Sequence, residues 1–234
     1  MAVNAVRQVR ARSRLSLILA ALAGLALSTA CGSSDYTYVS NEGENTYFKV
    51  PATWNELDNR ALRSVFADDS PDSMERMAID SHRWVRAFDA SRAPSLEHLA
   101  VPVAEPTVLA MIQALSEDEG PNLSLDDLRN LFDSVVGTEH EQAVEFYKQQ
   151  KTEFKIEVIA DTVLSPTPNV HGIRILYNIK QGERPLETRD LTVFVSADQT
   201  KLYVFLVRCT AVCFLQNADQ LAEIAGSFTV VGRN

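Results

Sequence analysis

The clearest periodicity in the chain lies in its second half, where apolar residues recur at every second position from Glu153 onward. Phe154, Ile156 and Val158 alternate with Lys155 and Glu157, and Ile173, Ile175, Tyr177 and Ile179 alternate with Arg174, Leu176, Asn178 and Lys180. Leu191, Val193 and Val195 make a third run; Leu202, Val204 and Leu206 make a fourth, reached through Ala197-Asp198-Gln199-Thr200. A period of two is that of a strand whose two sides meet different surroundings. Four such runs on short polar connections predict an antiparallel meander with one face on a core. Phe214, Ala218, Leu221 and Ala225 fall instead on a helical stripe, and Ser227–Val231 reads as a closing strand.

The first half is less regular. Tyr36–Val39 fits a short strand, and Tyr47-Phe48-Lys49-Val50 fits another, closed by Pro51, which cannot donate a ladder hydrogen bond. Trp54 follows in a turn. Arg83–Ser91 alternates, with Trp84, Arg86 and Phe88 on one side, and Thr107–Leu115 is read as a further strand between prolines and an acidic turn. Ser124 and Asp127 have the spacing of a capping box ahead of Leu125, Leu128, Leu131, Phe132 and Val135, with Gly137 as the stop. Thr138 and Glu141 repeat that spacing and predict a shorter helix through Ala143, Val144 and Tyr147. Residues 60–82 hold Asp68-Asp69-Ser70-Pro71-Asp72 and show no period; they read as a loop-rich insertion. The fold class expected is α+β, a curved antiparallel β-sheet flanked by helices, in a single domain over residues 46–234.

The start of the chain follows a different logic. Residues 1–30 carry Arg7, Arg10, Arg12 and Arg14, no acidic residue, and an apolar run from Leu15 to Leu27. Thirteen helical residues span about 20 Å, short of a hydrocarbon core of about 30 Å. A basic start, a short apolar stretch and small residues at its end are the anatomy of an export signal. Ala30-Cys31-Gly32 then resembles the lipobox of bacterial lipoproteins, in which the Cys thiol takes a diacylglyceryl group and becomes the new N-terminus. This makes residues 1–30 a lipoprotein signal peptide, Cys31 the lipidation site and residues 31–45 a polar tether. Cleavage by ordinary signal peptidase after Ser28-x-Ala30 is the alternative.

Charge sharpens this. The chain has 234 residues, 22 basic and 31 acidic side chains and a formal charge of −9. Losing residues 1–30 removes four Arg and no acid, so 18 basic and 31 acidic side chains leave −13. Such a body is a poor nucleic-acid binder, since that affinity rests on Lys and Arg at phosphates, and anionic headgroups repel it. A lipid anchor, rather than a basic face, has to hold it at the outer face of the cell membrane.

With Cys31 acylated, Cys209 and Cys213 remain in an oxidising compartment. Their C-x3-C spacing is neither a thioredoxin-type motif nor a zinc half-site. A tight turn brings two such Cα atoms to about 6 Å, within disulfide range, so the pair is read as a staple between a strand end and a helix start. So short a loop contributes only about 2 kcal/mol. Free buried thiols are the alternative.

Catalytic motifs are missing. There is no nucleophile elbow, dinucleotide fingerprint, phosphate loop or calcium loop. His140-Glu141 lacks the second histidine of a zincin, since Val144 stands there. Glu117-Asp118-Glu119 and Asp126-Asp127 lack the alternating ligands of a calcium site and suit an acidic turn and a helix first turn. Trp54 and Trp84 suit core packing better than a ligand cleft. No catalytic residue, no metal site and no cofactor is expected, and His82, His98, His140 and His171 read as surface or loop residues.

The lipobox-like start at Cys31, the opening Tyr47-Phe48-Lys49-Val50-Pro51-x-x-Trp54, and the close of meander, helix and Ser227-Phe228-Thr229-Val230 together resemble the PsbP-like fold of actinobacterial lipoproteins of the LpqN type. That resemblance implies a sheet flanked by helices, an extracytoplasmic location and a non-catalytic binding or accessory role. The expected partners are the membrane, through the lipid, and a protein partner or an apolar envelope ligand in a cleft between sheet and helices; an envelope hydrolase is the alternative. Replacing Cys31 by Ala is expected to move the protein from the membrane to the soluble fraction and to remove the acyl mass, both read by fractionation and intact-mass analysis. A Cys31→Ala protein that stays membrane-bound contradicts the anchor.

Overall fold

The computed structural model of the chain describes residues 35–66 and 83–231. Residues 1–34, with the expected export signal and Cys31, and residues 67–82, with their acidic cluster and His82, lie outside the described residues. Among the described residues, ten strands form two antiparallel sheets. The small sheet has the order β1-β2-β10, from Tyr36–Asn41, Thr46–Pro51 and Thr229–Val230. The large sheet has seven strands in the order β3-β4-β5-β9-β8-β7-β6: Asn55–Glu56, Trp84–Asp89, Thr107–Ala114, Lys201–Thr210, Glu187–Ser196, Val170–Gln181 and Phe154–Thr167. The described residues also include the helices α1 Asn59–Phe66, α2 Leu125–Arg129, α3 Gly137–Gln149, α4 Ala211–Gln216 and α5 Ala218–Gly226. The α+β class is as expected from the pattern. Among the described residues, no helix is long and apolar enough to cross a membrane.

The meander is present, but both of its faces are covered at the centre. In β9, Tyr203, Phe205 and Val207 join one core and Leu202, Val204 and Leu206 join the other, and all six are buried. Phe48 of β2 meets Phe205 with ring centroids 5.0 Å apart and Phe88 at 6.0 Å, so the small sheet, with α4 and α5, forms the first cover. Leu62 of α1 and Leu128 of α2 belong to the core on the opposite side, which also holds Ile173, Ile175 and Leu191. The expectation of one apolar face corrects to two because Leu202 to Val207 is apolar at every position, not at alternate ones.

Several boundaries also move. The short strand expected at Tyr36–Val39, within the tether, extends to Asn41 as β1, which pairs with β2 from Tyr36↔Pro51 to Asn41↔Thr46 and packs Val39 on the core. The first part of the expected loop-rich insertion is α1: the Asp58 carboxylate accepts the Arg60 N–H at 2.8 Å, and Leu62 becomes fully buried. The helix opened by Ser124 has its capping box but ends at Arg129, not at Gly137. Asn130 stops it, because its side-chain oxygen accepts the N–H groups of Val135 at 2.8 Å and Val136 at 2.9 Å. Gly137, with φ of 66°, opens α3 instead, and no side chain caps that end. The closing helical stripe divides at Asn217, whose side chain donates to the Cys213 carbonyl; Ala218 is exposed and Ile224 takes its place in the core.

One polar network sits inside the second core. Tyr177 donates to Asp133 at 2.6 Å, and Arg189 donates to Asp133 and to Glu187. Arg208 pairs with Glu187 and donates to the Leu99 carbonyl. Two guanidiniums and two carboxylates thus balance in a place where an unpaired charge is costly. Burial, then the Asp133 charge, pushes the Tyr177 phenol well above its ordinary value. The folded chain therefore keeps a proton that the unfolded chain releases above about pH 10. This contribution is complete below that pH and is lost as pH rises toward the raised value. Tyr177→Phe is expected to cost about 1–2 kcal/mol at pH 8 and to flatten the alkaline loss of stability, both measured by urea unfolding on either side of the phenol range. An alkaline loss equally steep in the variant assigns it to another group.

Candidate binding cleft

The first cover is shorter than the sheet beneath it. The small sheet and α5 end over β8, so the outer ends of β6 and β7 leave a cleft of about 480 Å³ against Ala225, Gly226 and Phe228. Its back wall is aromatic. Phe228 stacks on Phe205 at 4.8 Å and lies 6.1 Å from Phe194, which fixes the ring plane. Leu164 and Val163 from the end of β6 form the opposite side. An open concavity of this volume, lined by more apolar than polar residues, has room for a small molecule.

Four polar side chains line this cleft, Ser165, Arg174, Thr192 and Thr229, and two of them face each other in the strand register as Arg174↔Thr192. Arg174 is held by Asp190, with Nε to Oδ1 at 2.9 Å and Nη2 to Oδ2 at 2.7 Å. Asp190 is almost fully buried, whereas the Arg174 side chain remains about one-third exposed (32%). Its hydrogen bond to Asp190, with the attraction between the charges, holds the guanidinium more firmly protonated than usual. Thr192 is 97% buried, and its Oγ1 has no hydrogen-bond partner. Gly226 closes the far side; a Cβ built there meets only Arg174 Nη1, at 4.0 Å. Gly172, beside Leu164 in the ladder, has no such room, because a Cβ there falls 1.8 Å from the Val193 carbonyl oxygen.

The residues singled out by sequence lie elsewhere. Cys209 and Cys213 are joined by a disulfide, Cα atoms 6.0 Å apart, between the end of β9 and the first turn of α4. It sits in the first core and directs the chain into α4 and α5, one wall of the cleft. Trp54 and Trp84 pack on the edge of the same core. Asp127 completes its capping box, Asp126 pairs with Arg129 at 2.8 Å, and Glu119 accepts the Ser116 N–H. Among the described residues, no three His, Cys, Asp or Glu side chains converge as a metal site. His140 bonds the Ser134 carbonyl oxygen.

His98 lies in the loop after β4, where it has a buried partner. Its Nδ1 lies 2.7 Å from Asp89, a fully buried carboxylate that also accepts the N–H groups of Ser91 and Ser95. Nearby hydroxyls are spent locally, Ser91 on the Ala93 N–H and Ser95 on the Glu97 N–H. This cluster ties down the segment after β4. A depression of about 280 Å³ near Lys201 is likewise satisfied internally, by an ion pair with Glu44 at 2.5 Å.

Arg174 and Thr192 were missed by sequence reading because they occupy the alternate positions of β7 and β8, where polar residues suggest a solvated face. The available signal was Asp190, an acid two residues from Thr192 on the same side of a strand otherwise rich in β-branched residues.

No protein-family model matches the chain, and no curated protein matches it. Among solved structures, the chain is similar to the cyanobacterial PsbP, CyanoP, from Synechocystis sp. PCC 6803, at 14% identity over 86% of this chain and 95% of that one, with a TM-score of 0.43. It is also similar to the Ran-binding protein Mog1p of Saccharomyces cerevisiae, at 11% identity over 86% and 97%, with a TM-score of 0.40.

Proposed function

We propose that this protein is a lipid-anchored, extracytoplasmic, non-catalytic binding module of the LpqN-like kind, which holds an apolar envelope molecule in the cleft beside Phe228. The observation that carries this reading is the cleft itself: about 480 Å³, walled by Leu164, Phe194, Ala225 and Phe228, with Arg174 as the only charged side chain in its lining. The Cys31 lipobox and the export segment support the location, and the anchor keeps the cleft near the source of such ligands. A protein partner is a second reading, favoured by Val158, Ile159 and Val163, which lie exposed on β6, an edge strand.

The cleft offers a clean test at Gly226, where a Cβ meets only the Arg174 guanidinium, at 4.0 Å, and replaces a helix-terminal glycine. Gly226→Leu is expected to fold with unchanged stability and to lose at least tenfold in affinity for N-phenyl-1-naphthylamine, an uncharged apolar probe, followed by its fluorescence. A variant that binds the probe as wild type does contradicts the cleft as the site.

A further inference from the structure

The cleft has an asymmetry that a site for a wholly apolar molecule does not need. One end is aromatic and aliphatic; the other holds a guanidinium fixed in position. Asp190 takes the Nε and Nη2 donors of Arg174 and leaves Nη1, directed toward Gly226 across the opening, with no partner in the described structure. Thr192 stands directly across the ladder from it with a buried Oγ1 that makes no hydrogen bond. A buried hydroxyl left without a partner in a folded protein asks for one.

From this juxtaposition we propose that the ligand is an amphiphile with a single anionic head, a carboxylate or a phosphate, whose oxygen accepts from Arg174 Nη1 and from Thr192 Oγ1 while its chain lies against Phe228 and Leu164. The proposal rests on the cleft reading above and adds the chemistry of the head. The fork of Nε and Nη2 is taken by Asp190, but the remaining Nη1 donor still belongs to a charged guanidinium, so its hydrogen bond to an oxyanion is charge-assisted. Asp190 prevents the side chain from collapsing into solvent, so little side-chain entropy remains to be lost on binding. The −9 charge of the chain opposes an anion only at long range, since salt near 0.15 M screens beyond about 8 Å.

The test uses the full-length chain with three ligands of equal chain length: decanoate, methyl decanoate and decyl phosphate. Binding is measured by calorimetry below their aggregation concentrations. Wild type is expected to bind an anionic ligand at least tenfold more tightly than the ester, and the ratio of decanoate to decyl phosphate identifies the head. The variant Arg174→Met leaves Asp190 buried and unpaired, so Arg174→Met with Asp190→Leu, which removes both charges, is measured beside it. The charge-free variant is expected to bind decanoate and methyl decanoate with a ratio near one, the preference for the anion having been lost. Equal affinity of wild type for anion and ester overturns the proposal and leaves the cleft reading intact. Failure to bind any of the three overturns both.

Discussion

A sheet apolar on both faces must be covered on both, and the architecture follows from that requirement. Strand β9 is the centre of it: eight consecutive residues, Leu202 to Cys209, are buried, alternately against the small sheet with its helices and against α1 and α2. Each cover removes apolar surface from water at about 25 cal/mol per Å². The first cover does not reach across all seven strands. Beyond β8 the first one stops, and what the sheet leaves open there is the cleft. The site is thus a consequence of unequal layer widths, and its rigidity comes from the same stacking of Phe228 on Phe205 that closes the core.

The two faces solve the problem of buried polarity differently. On the second face, Arg189, Arg208, Glu187 and Asp133 balance one another, and Tyr177 completes the set. Such a network is a weak source of net stability and a strong penalty on losing one member. On the first face, Arg174 and Asp190 also pair, but beside an opening, so that part of the guanidinium stays accessible. Paired charge in a closed core specifies packing; the same pair at the mouth of a cleft can address a ligand. The Cys209–Cys213 staple sits between these roles, because it directs the chain from β9 into the helices that form the cleft wall.

Strand existence was plain in the sequence wherever the period of two was strong, as at Ile173 to Ile179 and at Leu191 to Val195, and the capping box at Ser124 marked a true helix start. The ends were harder. Asn130 ends α2 through a side-chain bond to Val135 and Val136, an event set by local hydrogen-bond geometry that no periodicity encodes. Asn217 divides the last helical stripe in the same way. The cleft was foreseen only as a space between sheet and helices, because its polar residues lie on strands distant from α5 in sequence. Arg174 and Thr192 meet through the register of β7 and β8, and Gly226 joins them only when α5 folds back across the sheet. Likewise, Asp89 and His98 form a loop tie that only the three-dimensional turn after β4 brings about.

The central claim is that one apolar chain occupies the space between the end of β6 and α5. Hydrogen exchange followed by mass spectrometry, with the full-length chain in the presence and absence of saturating decanoate, tests it most directly. The account predicts slowed exchange confined to residues 163–166, 172–174 and 225–229, with residues 36–41 unchanged. Protection centred on the small sheet, or no protection at residues 225–229, contradicts it.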